Sequence, residues 1–149
     1  MPDDTLREMR ILLVEDSPSD ADLARRALER GEIRSQVLHA VNGEQALEML
    51  HRTGRFTQCP RPDLVLLDLN MPRIDGRQVL QEVRSDESLR LIPVVVLTTS
   101  ADERDINAVY SLGANSYIVK PVDLDQFFAV VECVQQYWFR VASLPQWDA

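Results

Sequence analysis

The chain has 149 residues, 45% of them hydrophobic, and its 24 acidic against 16 basic side chains leave a formal charge of -8. That length fits one domain around one core, and an acidic balance without a dense Lys/Arg patch argues against a nucleic-acid-binding face. No apolar stretch approaches the roughly 18 residues a membrane span needs, and Cys59 and Cys133, at no metal or redox spacing, read as reduced thiols of a cytoplasmic protein.

Along the chain, the first apolar run is Ile11-Leu12-Leu13-Val14, and it ends in Glu15 and Asp16. Ser17-Pro18-Ser19-Asp20 offers N-cap residues for a helix over 21–30, in which Ala21, Leu23, Ala24, Ala27 and Leu28 share a face and Gly31 supplies a stop. A short strand over 37–40 and a second helix over 43–51 follow, with Ala46, Leu47 and Leu50 inward. His39 and His51 stand alone and read as strand-end and helix-surface residues. Residues 52–62, with Gly54, Pro60 and Pro62, predict an extended surface loop.

The second run, Leu64-Val65-Leu66-Leu67, ends in Asp68, and a third helix over 76–85 carries Val79, Leu80 and Val83. Val94-Val95-Val96-Leu97 then runs into Thr98. Asp102 and Glu103 open a fourth helix, where the helix dipole favours acids, and Leu112-Gly113 closes it. Tyr117-Ile118-Val119 runs into Lys120, and Asp123 starts the last and longest helix. Such short Val/Ile/Leu runs read as strands buried on both faces, as a parallel sheet covered by helices requires. Strand and helix alternate five times over connections that admit only right-handed crossovers. The expected fold is a doubly wound, flavodoxin-like five-stranded parallel sheet in the order 2-1-3-4-5.

A parallel sheet brings its strand C-termini to one edge, where open α/β sheets place their ligands. Glu15, Asp16, Asp68, Thr98 and Lys120 are therefore expected in one crevice. Three adjacent carboxylates repel one another, and a hard divalent cation such as Mg²⁺ resolves the conflict. A hydroxyl and an ammonium suit the remaining oxygens of a phosphoryl group. There is no Gly-rich loop of the G-x-x-x-x-G-K-[ST] kind, so the phosphoryl group is expected on a side chain, with Asp68 as the nucleophile.

Four motifs carry a resemblance at this point: Leu13-Val14-Glu15-Asp16, Asp68-Leu69-Asn70-Met71-Pro72-Arg73-Ile74-Asp75-Gly76, Leu97-Thr98, and Gly113-Ala114-Asn115-Ser116-Tyr117-Ile118-Val119-Lys120-Pro121. In order and spacing the chain resembles the receiver domains of bacterial two-component response regulators, the family of the chemotaxis regulator. The resemblance covers about residues 9–139 of a single receiver domain spanning 1–149, leaving 140–149 as a C-terminal tail. It implies Asp68 as acceptor of a phosphoryl group from a sensor histidine kinase. It also implies Mg²⁺ held by Asp16, Asp68 and the Asn70 carbonyl, with Glu15 acting through water. Thr98 and Lys120 would bind phosphoryl oxygens, Thr98 and Tyr117 would form the switch, and the Lys120–Pro121 bond would be cis. Thr99 stands where Ala is usual after the switch Thr, and Val122 where an aromatic is common. With Leu97-Thr98-Thr99-Ser100-Ala101-Asp102 and the long loop over 52–62, these traits resemble the stand-alone regulators paired with bacterial phytochrome-type kinases.

Plainer roles compete for some of these residues. Asp16 suits an N-cap of the first helix, and for Asp75 capping the third helix is the preferred reading. Tyr117 suits simple packing on a strand. On the last helix Phe127, Val131, Val134, Trp138 and Val141 form one apolar stripe and Val130, Cys133 and Tyr137 a second. One stripe satisfies the core, and the second suggests a homodimer contact. The tail over 143–149 reads as a loose end or an arm on a neighbour. The expected function is a phosphorylation switch that displays an altered surface on the fourth helix, fifth strand and fifth helix, not an enzyme on a separate substrate. The alternatives are an interaction module of the same fold that has lost phosphorylation, or a small phosphohydrolase with an aspartyl phosphate. The latter wants a second Asp two residues after the nucleophile, where Asn70 stands.

Overall fold

A computed structural model describes residues 8–146. Its strands are β1 (Met9–Val14), β2 (Ser35–Ala40), β3 (Leu64–Leu67), β4 (Val94–Thr98) and β5 (Ser116–Val119). They alternate with α1 (Pro18–Arg30), α2 (Gly43–His51), α3 (Gly76–Ser85), α4 (Glu103–Ser111) and α5 (Leu124–Gln136). All pairings are parallel, in the order β2-β1-β3-β4-β5, the doubly wound sheet expected from the strand-helix alternation.

Side-chain alternation divides the core into two layers. Leu64, Leu66, Val95 and Leu97 meet Ala24, Leu28, Phe127 and Val131 of α1 and α5, whereas Val65, Leu67, Val94 and Val96 meet α2, α3 and Val109 of α4. Strands covered on both faces have no polar side to present, which is why their sequence is continuously apolar. Register fixes the edge: Val14 lies beside Ala40 and Leu67, Leu67 beside Val96, and Thr98 beside Val119. The residues that follow these strands therefore emerge together. Ser17, Asn42, Asp75, Asp102 and Asp123 cap the helices that start there, each side chain accepting a first-turn N–H. Asp75 forms a reciprocal capping box with Gln78, so its structural role prevails.

Several local expectations are corrected. Ser17 and not Asp16 caps α1, with Pro18 in the first turn, where a missing N–H costs nothing. β2 begins at Ser35. The loop over 52–62 contains a 3₁₀ turn, Gly54–Phe56, and Phe56 packs against the core. β5 is half-buried because it is the sheet's edge strand. His39 bonds the Glu15 carbonyl at 2.8 Å, and His51 lies 3.3 and 3.4 Å from Glu82 and Asp86 of the α3 segment. No peptide bond among the described residues is cis, so Lys120–Pro121 is trans, and Lys120 reaches the crevice without the rarer isomer.

The last helix also departs from a simple stripe. Phe127, Val131 and Gln135 are its buried residues, with Val134 and Trp138 half-buried. A π-turn, Tyr137–Val141, closes it with Ala142 N–H donating to the Tyr137 carbonyl at 2.7 Å. This wider turn breaks the 3.6-residue period, and Val141 is left 73% exposed. Of the second apolar line, Val130 is half-buried while Cys133 and Tyr137 face solvent. Residues 143–146 carry no helix or strand, and the remainder of the expected tail, 147–149, lies outside the described residues. No helix among the described residues is long and apolar enough to cross a membrane.

Candidate functional site

The carboxyl edge of the sheet gathers the expected groups. Glu15 and Asp16 follow β1, and Asp68 follows β3; each offers a carboxylate oxygen, and these atoms lie within 4.8 Å of one another. Glu15 and Asp68 are buried at 4% and 9% exposure, while Asp16 is exposed. Gly76, at the start of α3, lets the Asp68 turn close: a Cβ there would stand 2.4 Å from the Asp68 carbonyl oxygen and 2.8 Å from Leu69 Cα. Asn70, two residues beyond Asp68 in the loop before α3, is exposed between the buried Leu69 and Met71.

Burial is the main reason the Glu15 carboxyl is pushed up to about 7, with the Asp68 charge acting in the same direction against the pull of Lys120 and the Ser17 N–H. Lys120 extends from the end of β5 and places Nζ 2.5 Å from Glu15 Oε1, 3.1 Å from Asp20 Oδ2 and 3.9 Å from Asp68 Oδ2. Burial alone would lower its pKa, but the Glu15 hydrogen bond, the charges of Asp68 and Glu15 and the Asp20 hydrogen bond outweigh it and raise the value. The ammonium is therefore charged at neutral pH. Thr98, last in β4, is fully buried, and its Oγ1 has no hydrogen-bond partner among the described residues. A buried hydroxyl left unpaired costs about 1–3 kcal/mol of stability, and Oγ1 has the capacity to donate to an oxygen that enters the crevice.

Beyond Thr98 a second network begins. Tyr117 packs against the core, and its hydroxyl donates to the Ser100 carbonyl at 2.8 Å. Ser100 Oγ donates to Asp105 Oδ2 at 2.7 Å, and Asp105 also pairs with Arg77 of α3. The Ser100 hydroxyl first, then Arg77, hold the Asp105 carboxyl below its ordinary value. Tyr117 is thus already docked inward in the unmodified chain, with α3, the β4–α4 loop, α4 and β5 linked in series.

These donors fit a hard divalent cation. The trio is all oxygen, and three carboxylates within 4.8 Å of one another repel, a conflict that a cation would relieve. A bound cation would neutralise that charge and draw the oxygens of an incoming phosphoryl group. The crevice also contains the Asp68 carboxylate, an ammonium and an unpaired hydroxyl, groups whose chemistry suits phosphoryl transfer. Composition and spacing did not reveal Asp20, Ser100, Arg77 or Asp105, since an acid in a helix's first turn or a serine in a loop has ordinary explanations. The Asp20 position in Ser17-Pro18-Ser19-Asp20 was visible only as capping chemistry.

Comparison with known proteins agrees with this geometry. Residues 11–132 match the family model described as the response regulator receiver domain. Response regulator Rcp1 of the cyanobacterium Synechocystis sp. is 39% identical over 145 residues, covering 97% of this chain and 99% of the relative. Among solved structures, the phosphorylated cyanobacterial phytochrome response regulator RcpA superposes with a TM-score of 0.90 at 41% identity, covering 94% of this chain and all of that one. The Mn(2+)-bound form of Rcp1 superposes with a TM-score of 0.87 at 40% identity, covering 93% of this chain and 99% of that one.

Proposed function

From the fact that this chain belongs to the response regulator receiver family, we propose that Asp68 is its phosphoacceptor and that phosphorylation there resets the surface formed by α4, β5 and α5. The observation that carries the proposal is the crevice itself: Lys120 Nζ stands 3.9 Å from Asp68, the carboxylate trio lies within 4.8 Å, and Thr98 Oγ1 is unpaired. A carboxylate oxygen of Asp68 attacks phosphorus as the P–N bond of a kinase phosphohistidine breaks, and the imidazole leaves with that electron pair. Glu15, Asp16, Asp68 and the Asn70 carbonyl would hold Mg²⁺, which supplies charge neutralisation when bound. Lys120 and Thr98 orient the phosphoryl oxygens, so the chain assists both its own loading and its own hydrolysis without acting on a separate substrate. The added charge of about -1.5 to -2 draws Thr98 toward it. Tyr117, hydrogen-bonded to Ser100 O, then couples that movement to Asp105 and α4.

The donor is a sensor histidine kinase of the phytochrome type, a reading supported by the phytochrome regulator RcpA at 41% identity over 94% of the chain. In this reading the protein works in the cytoplasm with the kinase domain that loads it, and the charge of -8 supports a protein partner over nucleic acid. A second copy of the chain docks on the apolar groove of about 300 Å³ between Ile118 of edge strand β5, Val130, Cys133 and Val134 of α5, and Trp138 of the turn that follows it. Its continuity with an unpaired sheet edge favours the homodimer. Sedimentation at micromolar protein tests it, and Val134→Asp should leave only monomer.

Incubation with acetyl phosphate and Mg²⁺ followed by intact mass tests the main proposal. The wild type should gain about 80 Da, the mass of one phosphoryl group, and Asp68→Asn should gain nothing. An equal adduct in Asp68→Asn refutes the assignment.

A further inference from the structure

Asp20 has no role in the reading above, yet it touches the ammonium on which that reading depends. It is the third residue of α1, and its backbone N–H donates to the capping Ser17 Oγ at 3.3 Å. In a reciprocal cap, the acid at this position returns a carboxylate oxygen to the N–H of the capping serine. Here that N–H is taken by Glu15 Oε2 at 3.2 Å, and the Asp20 carboxylate reaches across the crevice to Lys120 Nζ at 3.1 Å. The helix is capped without it.

Lys120 has three protons to give. Glu15 at 2.5 Å and Asp20 at 3.1 Å receive hydrogen bonds, while the nucleophilic carboxylate of Asp68, at 3.9 Å, lies outside that range. The two holders differ. The Glu15 side chain is buried within the carboxylate trio, whereas that of Asp20 is 42% exposed on the first turn of a helix.

We propose that Asp20 is a positioning residue acting through Lys120, holding the ammonium on the α1 side of the crevice and so restraining phosphorylation of Asp68. The inference rests on the assignment of Asp68 as phosphoacceptor. A carboxylate at hydrogen-bond distance cancels part of the ammonium's field at the phosphoryl oxygens and adds negative charge beside an anionic donor, and both effects slow transfer. Once the phosphoryl group is in place, its charge of about -1.5 to -2 outcompetes a half-exposed carboxylate for the lysine. The restraint therefore acts on loading and lapses afterwards.

The test uses the full chain with Mg²⁺ and acetyl phosphate, read as adduct mass against time, together with a metal-free crystal structure of the variant. Asp20→Asn should accumulate adduct several-fold faster than wild type. Asp22→Asn makes the same charge change on the same helix, but Asp22 pairs with Arg26 at 3.0 Å and not with Lys120, so its rate should be unchanged. In metal-free Asp20→Asn, Lys120 Nζ should move to within about 3.2 Å of Asp68, a contact that a merely structural Asp20 would not control. A rate at or below wild type, an equal acceleration in Asp22→Asn, or an ammonium at its old distance overturns the proposal. Loss of adduct in every chain, wild type included, would instead strike the assignment of Asp68, and the lysine position would still decide the role of Asp20.

Discussion

Thr98→Val isolates the cost of the unpaired hydroxyl at the end of β4. Thr98 is fully buried, Oγ1 has no partner among the described residues, and the backbone carbonyl that accepts from Lys120 N–H at 2.8 Å is untouched by the change. Valine keeps the branched shape and favours strands. Removing a buried unsatisfied hydroxyl recovers about 1–3 kcal/mol, and the lower half of that range applies because the residue adjoins an open crevice. At roughly 2–4 °C per kcal/mol for a chain of this size, the melting temperature should rise by about 2–8 °C. Calorimetry on the metal-free protein measures it. The same variant should hold less acyl phosphate at steady state, because the hydroxyl that binds a phosphoryl oxygen is gone. An unchanged or lower melting temperature would show that Oγ1 is satisfied in solution and not free to donate to an entering oxygen.

Gln135→Ala should destabilise the fold by about 2–4 kcal/mol in urea unfolding, because it empties a buried site and leaves the Leu28 and Ile33 carbonyls and the Ser35 hydroxyl without the Nε2 that now reaches them at 2.7–3.3 Å. Arg77→Ala should loosen the Ser100 loop, with faster amide exchange at residues 99–105 and a smaller change there on phosphorylation, since Asp105 loses its partner on α3. Glu15 is raised from 4.5 to about 7 on folding, so the folded chain retains its proton to higher pH than the unfolded chain does. Its contribution to metal-free stability is therefore most favourable below about 4.5 and declines as pH climbs toward 7. Thermal melts of Glu15→Gln across that interval should show a flatter profile than wild type.

The fold was legible because its strands are covered on both faces. Val94-Val95-Val96-Leu97 leaves no polar alternation, and that pattern belongs to a parallel sheet between helices. The site was legible for the same reason, as Glu15, Asp68, Thr98 and Lys120 each terminate such a run. What escaped was set by long-range geometry. Nothing in the run Val130 to Val134 signals that the next residue, Gln135, is buried to meet carbonyls more than 100 positions away. The π-turn that sends Val141 to solvent likewise has no sequence signature, because periodicity assumes a constant pitch. Asp20 was read as capping chemistry because the competition between Glu15 and Asp20 for one backbone N–H appears only when both carboxylates are in place.

The opposite edge of the sheet carries a feature with mechanical weight. The half-buried guanidinium of Arg84, on α3, donates to the carbonyls of Gly113, Arg90 and Ile92 and to Asn115 Oδ1, at 2.8–3.0 Å. Gly113 lies two residues beyond the end of α4, so that terminus is riveted to the body of the protein, while the other terminus is held through the Ser100 loop and the Asp105–Arg77 pair. A rod fixed at one end responds to a pull at the other by pivoting. Over nine residues, about 13 Å of helix, a tilt of roughly 10° displaces the Glu103 end by about 2 Å and the end beside Arg84 hardly at all. Arg84 is the fulcrum of that lever, and a partner that reads the arrival of a phosphoryl group gains most by gripping α4 at its Glu103 end.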